Sequence, residues 1–251
     1  MSKTTSLVLW WWGARWLAHI WIYKALTEKG VIFDEVVGTS MWAIVWAGIA
    51  LWYTWEEIIA FRETTNLWKI TDIRLWLPSI VWGTVSGEKL LEHLHIYTRG
   101  ANFDDTIVPL KVLATNAKTA EPVVFSTWDI AQALRASSSF PGVIWAYELD
   151  DVTYIDGGVC SNLPLWYATS DTIIACGFRG PIHWFLQRRN PLMQAEWLLE
   201  MLLYQQHLKD IALCTKELTM LQPDVSNIST FDFTRAEWII EQGYSKAMEL
   251  V

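Results

Sequence analysis

Three short stretches carry residue types that could do covalent chemistry. Gly38-Thr39-Ser40-Met41-Trp42 follows the run Glu35-Val36-Val37 and leads into the apolar run Met41 to Leu51. A serine at such a strand-to-helix turn, in a GxSxG-like setting, exposes its hydroxyl near the positive end of a helix and can serve as a nucleophile. A serine there can equally cap the helix by accepting from its free N–H groups. Asp156-Gly157-Gly158 comes directly after Val152-Thr153-Tyr154-Ile155, so a carboxylate leaves a strand into a glycine turn. Asp-Gly turns have an ordinary backbone explanation, yet ligands in open parallel sheets collect at the carboxyl ends of strands. By that rule Ser40 and Asp156 emerge on one rim, and the pairing favours a site over two unrelated turns. In the third stretch, Leu7-Val8-Leu9 runs into Trp10-Trp11-Trp12-Gly13-Ala14-Arg15-Trp16. Backbone N–H groups of a loop before a helix could face an oxyanion there. Neither GxxxxGK[ST] nor GxGxxG is present, which argues against a phosphate loop.

The elements that must position these residues alternate. Thr5 to Leu9 reads as a buried strand, Ala14 to Lys29 as a helix ending at Gly30, Asp34 to Val37 as a strand and Met41 to Leu51 as a helix. Such β-α-β-α order predicts a mostly parallel sheet with helices on both faces, a three-layer α/β/α fold. Glu56 to Thr65 reads as a helix, and Trp68 to Trp82, with Pro78, as an irregular surface segment or flap. Ser86 to Thr98 looks helical, and Leu110 to Asn116 and Pro122 to Phe125 look like strands. Thr127 to Ser137 looks like a helix capped by Thr127, with Asp129 in its first turn. Thr153 to Ile155 and Thr172 to Cys176 read as short strands. The C-terminal third reads as mainly helical, from Gln194 to Cys214 and from Thr234 to Leu250. No internal repeat or linker interrupts the chain, and its 251 residues fit a single domain, 1–251.

Composition narrows the partners. A formal charge of −8 lacks the basic footprint of a nucleic-acid binder and suits a small or neutral substrate. Cys160, Cys176 and Cys214 are far apart with no metal-type spacing, so neither a disulfide framework nor a zinc site is expected. No calcium loop is evident, and no metal or cofactor is expected. The apolar stretch Ser6 to Leu26 is broken by Arg15, His19 and Lys24 and has no small-residue cleavage site, so a cytoplasmic protein is expected. Membrane contact, if any, would be peripheral, through an exposed apolar patch. Oligomeric state is not legible. The abnormal number is 18 Trp against 13 Gly, because an α/β enzyme needs glycine in its turns.

The chain resembles the patatin-like phospholipases, in particular small bacterial members similar to neuropathy-target-esterase-like hydrolases. Leu7 to Leu26 looks like the family's strand, glycine loop and helix, and Gly38 to Gly48 like its nucleophile elbow. Ala133 to Gly142 (ALRASSSFPG) looks like its ASxxxPG stretch, and Asp156 to Pro164 (DGGVCSNLP) like its DGG block. The resemblance implies a Ser–Asp dyad without histidine: Ser40 attacks an acyl ester, Asp156 takes and returns the proton, and water hydrolyses the acyl-enzyme. It implies an oxyanion hole formed by Trp11, Trp12, Gly13, Ala14 and Arg15, with Gly38, Trp42, Gly157 and Gly158 supporting the motifs. It implies a lipid or other carboxylic ester as substrate, with Leu67 to Val81 covering the acyl chain. His19, His93, His95, His183 and His207 then remain structural or surface residues.

The departures fall at glycines. Trp11, Trp12 and Trp16 stand in a loop of pattern GGGx[KR]G, in which Ala14 follows Gly13, and Trp42 ends the elbow. Trp21 and Trp46 occupy positions where related sequences have small residues. Bulky residues at positive φ or at a close helix–strand approach should clash, and Trp42 and Trp46 are expected to share the face turned to the sheet. These tryptophans read as engineered substitutions or an unreliable residue assignment, whereas Trp52, Trp55, Trp76 and Trp82 suit a lipid-facing surface. Two other functions stay open. One is a catalytically impaired patatin-like domain that binds lipid or a protein; the other is an α/β-hydrolase triad using His183 or His207.

Overall fold

In the computed structural model, residues 3–9, 17–54, 56–58, 60, 85–177, 191–225 and 235–250 are described. Thr5–Leu9 forms β1, and Glu35–Thr39 forms β2 parallel to it, with Ser6 beside Glu35 and Val8 beside Val37. Parallel neighbours need a crossover, supplied by α1 (Leu17–Glu28). From β2 the chain enters α2 (Met41–Ala50), in which every residue from Trp42 onward is buried. A helix apolar on all sides has to lie in the interior, and Trp46 is among its fully buried residues.

The remaining strands are β3 (Leu110–Asn116), β4 (Pro122–Phe125), β5 (Tyr147–Leu149), β6 (Val152–Asp156), β7 (Thr172–Cys176) and β8 (Glu217–Leu221). They complete one sheet in the order β5-β6-β3-β2-β1-β7-β8, with β4 also on β3. The ladders among β3, β2, β1, β7 and β8 are parallel; those involving β4, β5 and β6 are antiparallel. Helices α3 (Glu88–Thr98) and α4 (Ile130–Ser137) pack with α2, while α1 packs with α6 (Ala236–Met248). The long helix α5 (Pro191–Leu213) lies over the loop that follows β6. The fold is therefore the expected three-layer α/β/α arrangement with a mostly parallel sheet.

One feature of the register governs the site. β2 covers β3 from Leu110 to Leu113 and β6 covers it from Ala114 to Asn116. β4 overlaps both stretches and so occupies the other edge. The two strands thus approach head-on along a single edge of β3, with Thr39 beside Leu113 and Asp156 beside Ala114.

The structure departs from the sequence reading in several places. β6 runs against β3, so Asp156 reaches the site head-on rather than along a common parallel rim. Asp129, not Thr127, caps α4, accepting from the Gln132 N–H at 2.9 Å. The C-terminal third contributes β8, and β5 precedes β6; neither was expected, because each is short and follows no clear alternation. Beyond residue 60, the expected helix at 56–65 and the segment at 68–82 lie outside the described residues.

At the end of β2 away from Ser40, the buried Glu35 carboxylate accepts from Lys111 Nζ (2.8 Å), Thr169 Oγ1 (2.7 Å), Ser170 N (3.0 Å) and Ser6 Oγ (2.5 Å). Burial would raise this carboxyl, but the hydrogen bonds outweigh it and hold its pKa at about 2. This satisfied cluster ties β1, β2 and β3 to the loop before β7 and belongs to the scaffold.

Candidate active site

Ser40 is the single residue between β2 and α2 and adopts φ 58°, ψ −138°. A non-glycine residue there is strained by about 1–3 kcal/mol and persists only where its surroundings hold it. The chain is forced into this turn because β2 and α2 approach closely at Gly38. A Cβ on Gly38 would overlap Trp46 and come 2.9 Å from the Ala43 Cα. Ser40 makes no capping bond to α2. Its hydroxyl instead donates to Asp156 Oδ2, which replaces the helix-cap reading.

Asp156 ends β6 with only 2% of its surface exposed. Its Oδ1 accepts from the Gly158 N–H at 2.8 Å, so the Asp-Gly-Gly turn is real and leaves the second oxygen for Ser40. The Asp156 N–H donates to the Ser139 carbonyl (3.0 Å), and its own carbonyl accepts from Thr115 Oγ1 (3.0 Å). Burial raises the carboxyl from 3.8 to about 7, against smaller opposing effects from Ser40 and Gly158. Gly157 is required by space: a Cβ there would overlap the Leu113 carbonyl and come 2.9 Å from Thr39 Cγ2.

Three contributors were not singled out from sequence. The Ser40 N–H donates to Ser137 Oγ (2.7 Å), and that hydroxyl donates onward to the Leu113 carbonyl. The signal was the serine run in ALRASSSFPG, where nothing local says which hydroxyl faces the elbow. From α5, Asp210 Oδ2 accepts from Leu163 N (3.0 Å) and Ser161 Oγ (3.3 Å), and Gln206 Nε2 donates to the Val159 carbonyl (2.7 Å). These bonds fasten the loop after Asp156, and burial lifts the Asp210 carboxyl to about 6.

Trp11, Trp12, Gly13, Ala14 and Arg15 lie outside the described residues, as does His183. Trp42 is buried within α2 and is not at positive φ; its ring lies 4.4 Å from that of His19. The strain expected at Trp42 thus sits two residues earlier, on Ser40 itself. Among the described residues, neither Ser40 nor Asp156 hydrogen-bonds a histidine. Burial pushes His19 down to about 3 and His207 down to about 4, so both are neutral near pH 7. Cys160, Cys176 and Cys214 carry free thiols. Among the described residues, no group of three or more His, Cys, Asp or Glu could hold a metal ion, and no helix is long and apolar enough to cross a membrane.

A buried carboxylate accepting directly from a serine hydroxyl on a strained turn can act as base to a nucleophile. Comparison with known proteins points the same way. The family model described as patatin-like phospholipase matches residues 13–169. An uncharacterized NTE family protein of Mycobacterium bovis is 29% identical over 84% of this chain and 59% of its own length. The lysophospholipase NTE1 of Kluyveromyces lactis is 24% identical over 97% of this chain and 19% of its own length. This chain thus spans less than two thirds of the length of these relatives. Among solved structures, VipD from Legionella pneumophila matches all of this chain and 67% of its own, with a TM-score of 0.60 and 14% identity. The type III effector ExoU matches 98% of this chain and 52% of its own, with a TM-score of 0.51 and 15% identity. At such identities the structural likenesses speak to the fold.

Proposed function

Because the chain belongs to the patatin-like phospholipase family, we propose that it is a serine-dependent lipid acyl hydrolase working through Ser40 and Asp156. The observation that carries this reading is the hydrogen bond from the Ser40 hydroxyl to the buried Asp156 carboxylate. Asp156 takes the hydroxyl proton as Ser40 Oγ bonds to the ester carbonyl carbon. The tetrahedral intermediate then collapses, the leaving alcohol departs with that proton, and an acyl-serine remains. Asp156 next deprotonates a water that attacks the acyl-serine, and returns the proton to Ser40. Each turnover leaves the dyad as it began.

The Ser40 N–H is committed to Ser137, so donors to the oxyanion must come from elsewhere, and the loop at residues 11–15 is the candidate. The substrate is read as a phospholipid, lysophospholipid or simpler carboxylic ester, reached by peripheral contact with a lipid surface and without a metal. Residues 1–251 are read as one hydrolase unit.

The test is reaction of the purified chain with a fluorophosphonate ester, located by peptide mass spectrometry. An adduct on Ser40 that vanishes in Ser40→Ala is expected. A folded wild type that takes no label would instead make this chain a lipid- or protein-binding member of its family.

A further inference from the structure

We propose that Ser137 is a positioning residue that holds the nucleophile in its positive-φ conformation. The role rests on Ser40 being the nucleophile. Ser40 sits at φ 58°, a conformation its surroundings must impose. Among the described residues its N–H has one acceptor, Ser137 Oγ at 2.7 Å, and the Ser137 hydroxyl donates in turn to the Leu113 carbonyl. Ser137 is fully buried at the end of α4, and Leu113 is the β3 residue beside which β2 ends. One hydroxyl therefore links the elbow, α4 and the strand that aligns Ser40 with Asp156. Without it, the part-buried Ser40 N–H loses its acceptor and the Leu113 carbonyl loses a donor, and the turn can relax toward an ordinary helix start that carries Ser40 Oγ away from Asp156.

Wild type, Ser137→Ala and Ser137→Cys would be compared by kcat and KM on a soluble ester across pH, corrected for the native fraction. The labelling rate at Ser40 would be measured alongside. Ser137→Ala is expected to lose on the order of 10–100-fold in kcat with KM little changed. Its acid limb should move to higher pH, because the Ser40 hydroxyl no longer steadies the Asp156 carboxylate. Ser137→Cys, close in size with a weaker acceptor, keeps the test alive should alanine not fold, and should show the same shift to a smaller degree. Per-molecule kcat and an acid limb equal to wild type in both variants would overturn the role. A wild type that takes no label at Ser40 removes the nucleophile assignment and this role with it.

Helices α1, α2 and α3 end alike: the second residue past each is left-handed. At α1 and α3 it is Gly30 (φ 80°) and Gly100 (φ 70°), but at α2 it is Trp52 (φ 65°). Trp128 is left-handed as well (φ 77°), and both Trp52 and Trp128 are exposed, so core packing does not offset the strain of a bulky residue in that region. Among the described residues, the buried indole N–H of Trp46 has no hydrogen-bond partner, which a buried tryptophan normally finds. We infer that the native polypeptide carries glycine at 46, 52 and 128, and also at 11, 12, 16 and 42, where the family pattern has it. The cause would be one codon read as tryptophan in this sequence and as glycine in the host. UGA, a single base away from both UGG and GGA, is the natural candidate.

Peptide sequencing and intact mass of the protein purified from its native source would decide this. Glycine at these positions and a mass below 29.0 kDa are expected. Tryptophan found at both 52 and 128 would overturn the inference, and neither result depends on catalysis.

Discussion

Asp156→Asn is expected to lower kcat/KM by on the order of 10²–10⁴-fold, the usual worth of a general base, while making the folded chain more resistant to denaturant than wild type above pH 7. Asparagine keeps the shape and can still accept from the Gly158 N–H, so the turn survives and only the proton acceptor is lost. On the proposed mechanism, wild-type activity needs the ionised carboxylate. Its rate should therefore rise with pH along an acid limb centred near 7, the value to which burial lifts this group. Stability runs the other way. The folded pKa lies above the unfolded 3.8, so the stability this group contributes is fully present below 3.8 and is lost as pH rises through about 7. Between those limits the loss amounts to at most about 1.4 kcal/mol per pH unit. Urea unfolding of both proteins at pH 5 and pH 8 checks this: the advantage of Asp156→Asn should be larger at pH 8. An advantage that shrinks with pH would mean that the carboxylate is not held at a cost.

Gly157→Ala is expected to be the most damaging single-methyl change near the site, lowering stability by about 1–3 kcal/mol and activity along with it. The added Cβ would run into the Leu113 carbonyl and Thr39 Cγ2. The carbonyl belongs to backbone and is also the acceptor for Ser137, so relief moves either β6 or the relay beneath Ser40. At Gly158 a Cβ would meet Asp156 Oδ1 at 3.1 Å and Asn162 Oδ1 at 3.3 Å, contacts that side chains can relieve by small shifts. Gly158→Ala should therefore cost less. Denaturation midpoints and ester hydrolysis for the two variants give the ranking, and the reverse order would show that space at Gly157 is not the constraint.

Ser40 and Asp156 were legible because each sits in a local pattern, a small residue before a serine at a strand end and a carboxylate before two glycines. What brings them together was not legible. The direction of β6 depends on pairing with a strand some forty residues earlier, and β5, at three residues, is too short to display a period. Ser137 was hidden among neighbours of the same type. The expected clash at Trp42 did not occur, because the second residue of a helix needs no positive φ and its ring packs on His19.

The head-on meeting of β2 and β6 makes β3 a ruler. Neither of these strands is hydrogen-bonded to the other; each is measured off against adjacent graduations, Leu113 and Ala114. Two residues inserted between those marks would preserve every inward and outward face of the sheet, yet would part Ser40 from Asp156 by roughly 7 Å, two strand rises. On the proposed mechanism, reactivity is thus written in the length of a strand that supplies no reacting atom.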